Sequence, residues 1–363
     1  MNLIKNFIYR FIIPLFDFIL SINRNTNTLD INEIKLKKIG ILLQWGIGDS
    51  VIASKLIFLI KKKYPHAKIF IIGKEFNKDI YSYQFSNITF LDMIPPWTNK
   101  TNKYNFFSDK YFNYFKKLNK IKKIKFDLLI SPRFDFRDNL QLLYLNSKIK
   151  YTYKNAGFRN LFHNSVEIEY VKFMNSNCYE LIDNFSTFLL MNSYKFTNFK
   201  KKYHSAKTRK WLKDNNIINK NYILFHGGAS DNFREFCVNC QEKFIKNYLQ
   251  SKPLIIVDDG IFDNKKLFKF LSFHNINFYI WSGKFHDLLS LISNCYCFVG
   301  MESGPLHLAC KYNVRTFGFF INENQIKNWS PPHSSGKFQF SYMHKSDCSF
   351  PKNYPKVKFN FYE

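Results

Sequence analysis

The chain has 363 residues, 46% of them hydrophobic, and a formal net charge of +27, a composition that supports more than one buried core and excludes global disorder. Its seven cysteines, scattered and odd in number, exclude a disulfide framework and point to a reducing, cytoplasmic compartment. The basic surface attracts nucleotide phosphates and anionic lipid headgroups, yet no zinc-finger spacing, RNA-recognition motif or helix-turn-helix accompanies it, so no nucleic-acid partner is expected.

In chain order the sequence divides into segments 1–35, 36–200, 201–335 and 336–363. Phe7 to Ile22 is apolar but carries Arg10, Pro14 and Asp17. It is too interrupted for a membrane span and lacks the uncharged core and cleavage site of a secretory signal. With Lys5, Arg10 and Arg24 beside it, two readings stay open: an interfacial anchor on the anionic inner face of the cytoplasmic membrane, or a helix packed on the protein's own body.

Regular pattern begins at Lys38 to Leu43, a short apolar run that reads as a buried parallel strand. A helix from Asp49 to Lys63 follows, closed by Pro65. Lys68 to Gly73, Ile88 to Met93 and Phe126 to Ser131 are further strands, and Asp138 to Leu145 a helix. Between them, Asn102 to Lys125 reads as a solvated lysine-rich face, against a face that meets membrane or an acidic acceptor. A helical run from Cys178 to Asn192 and a basic connector, Lys200 to Lys207, lead to a second series. Its strands are Tyr222 to Phe225, Pro253 to Val257, Asn277 to Ile280, Tyr296 to Val299 and Val314 to Phe320. Alternating strands and helices predict two doubly wound α/β halves in tandem, with a boundary near 195–207. Ser334 to Glu363 shows no periodicity and takes no place in this scheme.

Ligands of open parallel sheets bind beyond the carboxyl ends of the strands, so three strand-to-helix loops matter. Gln44-Trp-Gly-Ile-Gly-Asp49-Ser50 puts a carboxylate at a helix start, where cap donors and the helix dipole keep it ionised. Asp49 is either a helix cap alone or a general base. The loop is neither a Walker P-loop nor a complete G-x-G-x-x-G, since Val51 stands at the third glycine. His226-Gly-Gly-Ala-Ser230 with Arg234 offers backbone N–H groups, a hydroxyl and a guanidinium suited to a diphosphate, although a plain glycine-rich turn fits the same residues. Gly300-Met-Glu-Ser-Gly-Pro-Leu-His307 opens a helix expected over Pro305 to Tyr312, with Ser303 near its cap. Glu302 stands ready for sugar hydroxyls and His307 for a phosphate or ribose. Cys237 and Cys240 form a lone C-x-x-C read as free thiols, and no metal site is expected. Arg133, Asp135 and Arg137 suit an anionic acceptor or are ordinary surface charges.

These residues resemble the heptosyltransferase-like glycosyltransferase family 9. Ile39 to Leu43 followed by Gly48-Asp49 matches its first strand and Gly-Asp loop, and Glu302-Ser-Gly-Pro-Leu-His-Leu-Ala309 matches its Asp-[Ser/Thr]-Gly-x-x-His-x-Ala segment. Trp281-Ser-Gly-Lys284 with Leu288 and Leu289 looks like its Gly-Lys/Thr segment. The resemblance implies a GT-B architecture of two Rossmann-like domains facing an interdomain cleft. It also implies inverting transfer without metal or cofactor, from a nucleotide-diphosphate sugar such as ADP-heptose to a lipid-linked or oligosaccharide acceptor in lipopolysaccharide assembly. Asp49 takes the role of general base. Ser230, Arg234, Ser303, Gly304 and His307 hold the diphosphate, and Asp263 approaches the nucleoside. Two departures, Glu302 in place of Asp and a Phe317-Gly-Phe-Phe-Ile end without the usual proline, leave the donor open. An epimerase or a nucleotide-sugar-binding protein without catalysis is the alternative.

Overall fold

A computed structural model of the chain describes residues 35–98, 108–162, 165–190, 198–229, 234, 238–249, 252–260, 263–332 and 338–342. The apolar segment Phe7 to Ile22, Ser230, Cys237 and most of the tail lie outside the described residues. The chain forms two compact units, residues 1–195 and 196–363.

The first unit is built on five parallel strands: β1 (Lys38–Leu43), β2 (Lys68–Gly73), β3 (Ile88–Asp92), β4 (Phe126–Ile130) and β5 (Ser147–Tyr151). Their order is β3-β2-β1-β4-β5. After its exposed first residue β1 is buried at every position, as befits a central parallel strand covered by helices on both faces. Gly73 ends β2 where a Cβ would stand 1.9 Å from the Leu43 carbonyl oxygen, so only glycine lets the two strand ends meet.

The second unit holds six parallel strands: β6 (Ile223–His226), β7 (Leu254–Val257), β8 (Phe278–Trp281), β9 (Cys297–Met301), β10 (Arg315–Phe320) and β11 (Phe338–Tyr342). They run in the order β11-β10-β9-β6-β7-β8. Its core packs Ile223, Phe225 and Val299 of the central strands against Phe244 and Leu267 of the covering helices. Counted from the first strand of each unit, both orders read 3-2-1-4-5, with a sixth strand added in the second. This is the doubly wound Rossmann arrangement.

Three differences from the sequence reading have physical causes. The stretch from Asn102 includes a helix, Asp109–Lys122, that buries Tyr111, Tyr114, Leu118 and Ile121. Those residues recur at helical spacing and dock on the sheet, while lysines between them face outward. Second, β5 is an edge strand whose two lysines alternate with buried Ile149 and Tyr151, a pattern weaker than that of a central strand. Third, β11 pairs with β10 from Thr316–Phe338 to Phe320–Tyr342, giving part of the unplaced tail a role as the outer strand. Among the described residues no helix is long and apolar enough to cross a membrane.

Candidate functional site

In a doubly wound sheet the chain leaves neighbouring strands toward opposite faces at one point, and the crevice opened there receives ligands. That point lies between β1 and β4 in the first unit and between β6 and β9 in the second. Each is flanked by loops that the sequence singles out.

At the first, the helix after β1 starts earlier than expected. It spans Ile47–Lys63 with Gly46 as its N-cap, so Asp49 is its third residue. The Asp49 Oδ2 accepts the Gly46 backbone N–H at 3.0 Å, the carboxylate half of a capping box. Its Oδ1 accepts from Arg133 Nη1, which comes from the loop after β4. Both side chains are about a third exposed, Asp49 at 30% and Arg133 at 33%. Asp49 is therefore helix cap and ion-pair partner together, with surface left open to solvent. The Arg133 guanidinium lies 4.2 Å from the Trp45 ring centroid, and that of Arg137 5.1 Å from it, distances typical of cation–π attraction.

Trp45 is held in turn. Its Nε1 donates to Asp138 Oδ2 at 3.1 Å, and Ser131 Oγ donates to the same oxygen at 3.1 Å. Burial, reinforced by the charge of Asp135, raises the Asp138 carboxyl to about 7, against the opposing pull of Trp45, Arg133 and Ser131. Asp135 caps the helix Phe136–Tyr144 by accepting the Arg137 N–H. It also takes two side-chain bonds from Arg137, at 2.8 and 2.6 Å. Of the three residues considered for an anionic acceptor, Asp135 is thus buried and committed to structure, while Arg133 and Arg137 share one tryptophan beside Asp49. Burial also lowers the Lys74 ammonium, partly offset by the nearby Asp49 charge.

At the second point the helix after β9 is Gly304–Lys311, with Ser303 as N-cap and Pro305 in its first turn. The Ser303 hydroxyl turns back to donate to the Met301 carbonyl at 2.9 Å, so the cap is made by backbone alone. Gly300 brings β9 close to β6, since a Cβ there would stand 2.6 Å from the His226 carbonyl oxygen. Glu302 is only 3% exposed. Its Oε2 accepts from Arg234 Nη1 at 2.9 Å and Gln325 Nε2 at 2.8 Å, and its Oε1 lies 3.2 Å from His307 Nε2. Burial alone would raise this carboxyl, but the hydrogen bonds and charges of His307 and Arg234 prevail and hold it below the ordinary value. Glu302 is therefore not turned toward sugar hydroxyls. It is a buried anion gathering Arg234, His307 and Gln325.

Arg234 and His307 meet at Glu302, next to Ser303 and Gly304 at the helix start, and Ser230 lies outside the described residues. Asp263 is exposed on the loop after β7, where its Oδ1 accepts the Lys265 N–H at 3.1 Å. Sequence reasoning missed Asp138, Ser131, Gln325 and the pairing of His226 Nε2 with Asp259 Oδ2 at 3.2 Å. Asp259 was visible as a carboxylate in the loop after a strand and Asp138 as one in the first turn of a helix, whereas Gln325 gave no signal. Among the described residues no group of three or more His, Cys, Asp or Glu side chains is placed to hold a metal ion.

No protein family and no curated protein matches this chain by sequence. Solved structures do match it in three dimensions. A glycosyl transferase family 9 structure from Veillonella parvula superposes with a TM-score of 0.63 at 13% identity, over 79% of this chain and 81% of that one. The E. coli heptosyltransferase WaaC with ADP gives 0.65 at 10%, over 86% and 95%. The E. coli ADP-heptose LPS heptosyltransferase II gives 0.64 at 12%, over 84% and 90%. The fold is GT-B. At these identities the likeness is one of fold.

Proposed function

We propose that this protein is an inverting glycosyltransferase that moves a sugar, heptose or a related one, from a nucleoside diphosphate such as ADP to a lipopolysaccharide or other glycan acceptor. The observation that carries this reading is the division of labour between the crevices. One presents a partly exposed carboxylate, Asp49, beside arginines. The other presents an arginine and a histidine gathered by Glu302 at a helix N-terminus.

Asp49 accepts the proton of the acceptor hydroxyl as that oxygen attacks the anomeric carbon. The bond from that carbon to the diphosphate breaks on the opposite face, so the configuration inverts. The departing diphosphate carries the negative charge, which Arg234, Ser230 and the backbone around Ser303 and Gly304 meet, while His307, buried against Glu302, backs the site. Glu302 acts one step back by fixing Arg234 and His307. Arg133 and Arg137 suit an acceptor that itself carries phosphate or carboxylate groups. Asp263 stands on an exposed loop for nucleoside contact. An acceptor of this kind also makes an anionic membrane surface a natural partner for a chain of charge +27.

Asp49→Asn tests the assignment. With ADP-heptose and a truncated lipopolysaccharide acceptor, kcat is expected to fall roughly 10²- to 10⁴-fold, the usual contribution of a general base, with donor affinity unchanged. Full turnover in the variant would remove Asp49 from the role. Donor binding without transfer in the wild type would favour a binding protein.

A further inference from the structure

Behind Asp49 and Arg133 stand Trp45 and Asp138, two side chains that the proposed chemistry leaves unused. Asp138 is the third residue of the helix Phe136–Tyr144 and is 1% exposed. Its Oδ2 accepts from Trp45 Nε1 and Ser131 Oγ, while its Oδ1 is buried without a hydrogen-bond partner. The indole it holds presents a face to the Arg133 guanidinium, and Arg133 closes on Asp49. An indole tied at its N–H is a fixed platform; without that tie its ring, and the guanidinium stacked on it, would be free to turn. We infer that Asp138 is a positioning residue that anchors Trp45 and through it sets how Arg133 engages the Asp49 carboxylate. Its catalytic meaning rests on the reading of Asp49 as the base, but its test does not.

A purely structural carboxyl is a poor explanation here. Burial leaves one oxygen of Asp138 unsatisfied and raises the group to about 7, an arrangement that costs stability and that an apolar side chain would avoid. Burial first and then the charge of Asp135 disfavour its ionisation, while Trp45, Arg133 and Ser131 favour it; its charge in turn adds to the burial that raises the Tyr114 phenol of the helix Asp109–Lys122. Arg137 faces the same indole but is tied to Asp135. Loss of the Asp138 proton therefore strengthens the bond to Trp45, and the Trp45 N–H reports it.

The experiment is a pH titration of the full-length protein by NMR, following the indole N–H of Trp45, assigned with Trp45→Phe, and the carboxyl carbon of Asp49. In the wild type the indole signal is expected to shift with a midpoint near 7. Asp138→Asn should keep the hydrogen bond and abolish that shift. Asp138→Ala should move the signal to the free-indole position at every pH and displace the Asp49 carboxyl-carbon signal. Trp45→Phe, which leaves Asp138 in place, should displace the Asp49 carboxyl-carbon signal as well and answers the question if the alanine variant does not fold. An indole titration that persists in Asp138→Asn, or an Asp49 carboxyl-carbon signal unmoved in both Asp138→Ala and Trp45→Phe, would overturn the inference. Neither result depends on whether the protein transfers a sugar.

Discussion

Glu302 shows most directly how a single side chain can be read two ways. From its place before a helix it looks like a ligand for sugar hydroxyls, yet its oxygens are occupied by Arg234, Gln325 and His307 within 3.2 Å. A buried carboxylate with those partners is an organiser of cations, and removing its charge would strand an arginine beneath the surface. Glu302→Gln is therefore expected to lower the unfolding free energy at pH 7 by roughly 3–5 kcal/mol, the usual effect of breaking a buried pair. The sign of the pH dependence follows from the depressed carboxyl of the folded state. Its stabilisation is present above the ordinary carboxylate value and fades as pH falls through the folded one. Urea unfolding of wild type and variant should thus differ most near neutrality and converge in acid; a difference that grows on acidification would refute the pairing. Asp49 was legible in the sequence because strand, glycine-rich turn and helix lie within a few residues of it. The partners that define its surroundings were not. Trp45 and Asp138 are separated by 93 residues, and Glu302 and Gln325 by 23, so only the folded chain brings them together.

At the scale of elements, legibility followed apolar runs, which even the half-exposed edge strands β3 and β8 carry. The central strands β1, β2, β6 and β9 are buried through nearly their whole length and stand out as continuous apolar runs. The edge strands β5 and β11 do not, because an edge strand in a two-sided α/β sheet needs fewer apolar residues and tolerates lysine. The helix Asp109–Lys122 hid behind its lysines for a related reason: its buried stripe is made of tyrosines as much as aliphatics. Where the ends of neighbouring strands approach each other, glycine sets the geometry. The meeting of β1 and β2 depends on Gly73, whose added Cβ would collide with the Leu43 backbone. Gly73→Ala is expected to cost about 1–3 kcal/mol, as overpacking does, measurable by chemical denaturation. Stability equal to wild type would show that the two strand ends can part without penalty.

For the molecule as a whole, two doubly wound units carry complementary chemistry, a carboxylate with arginines in one and an arginine–histidine cluster at a helix start in the other. If the second unit binds a nucleoside diphosphate, as proposed, that ligand must raise the stability of the folded state, by about 2.7 kcal/mol at a hundredfold excess over Kd. The most direct measurement is thermal unfolding of the full-length protein with ADP, UDP, GDP and their sugar conjugates, beside Arg234→Gln. One nucleoside diphosphate should raise the wild-type Tm with increasing concentration, and the variant should lose most of that shift. No response to any of these ligands, or an equal response in Arg234→Gln, would contradict the account.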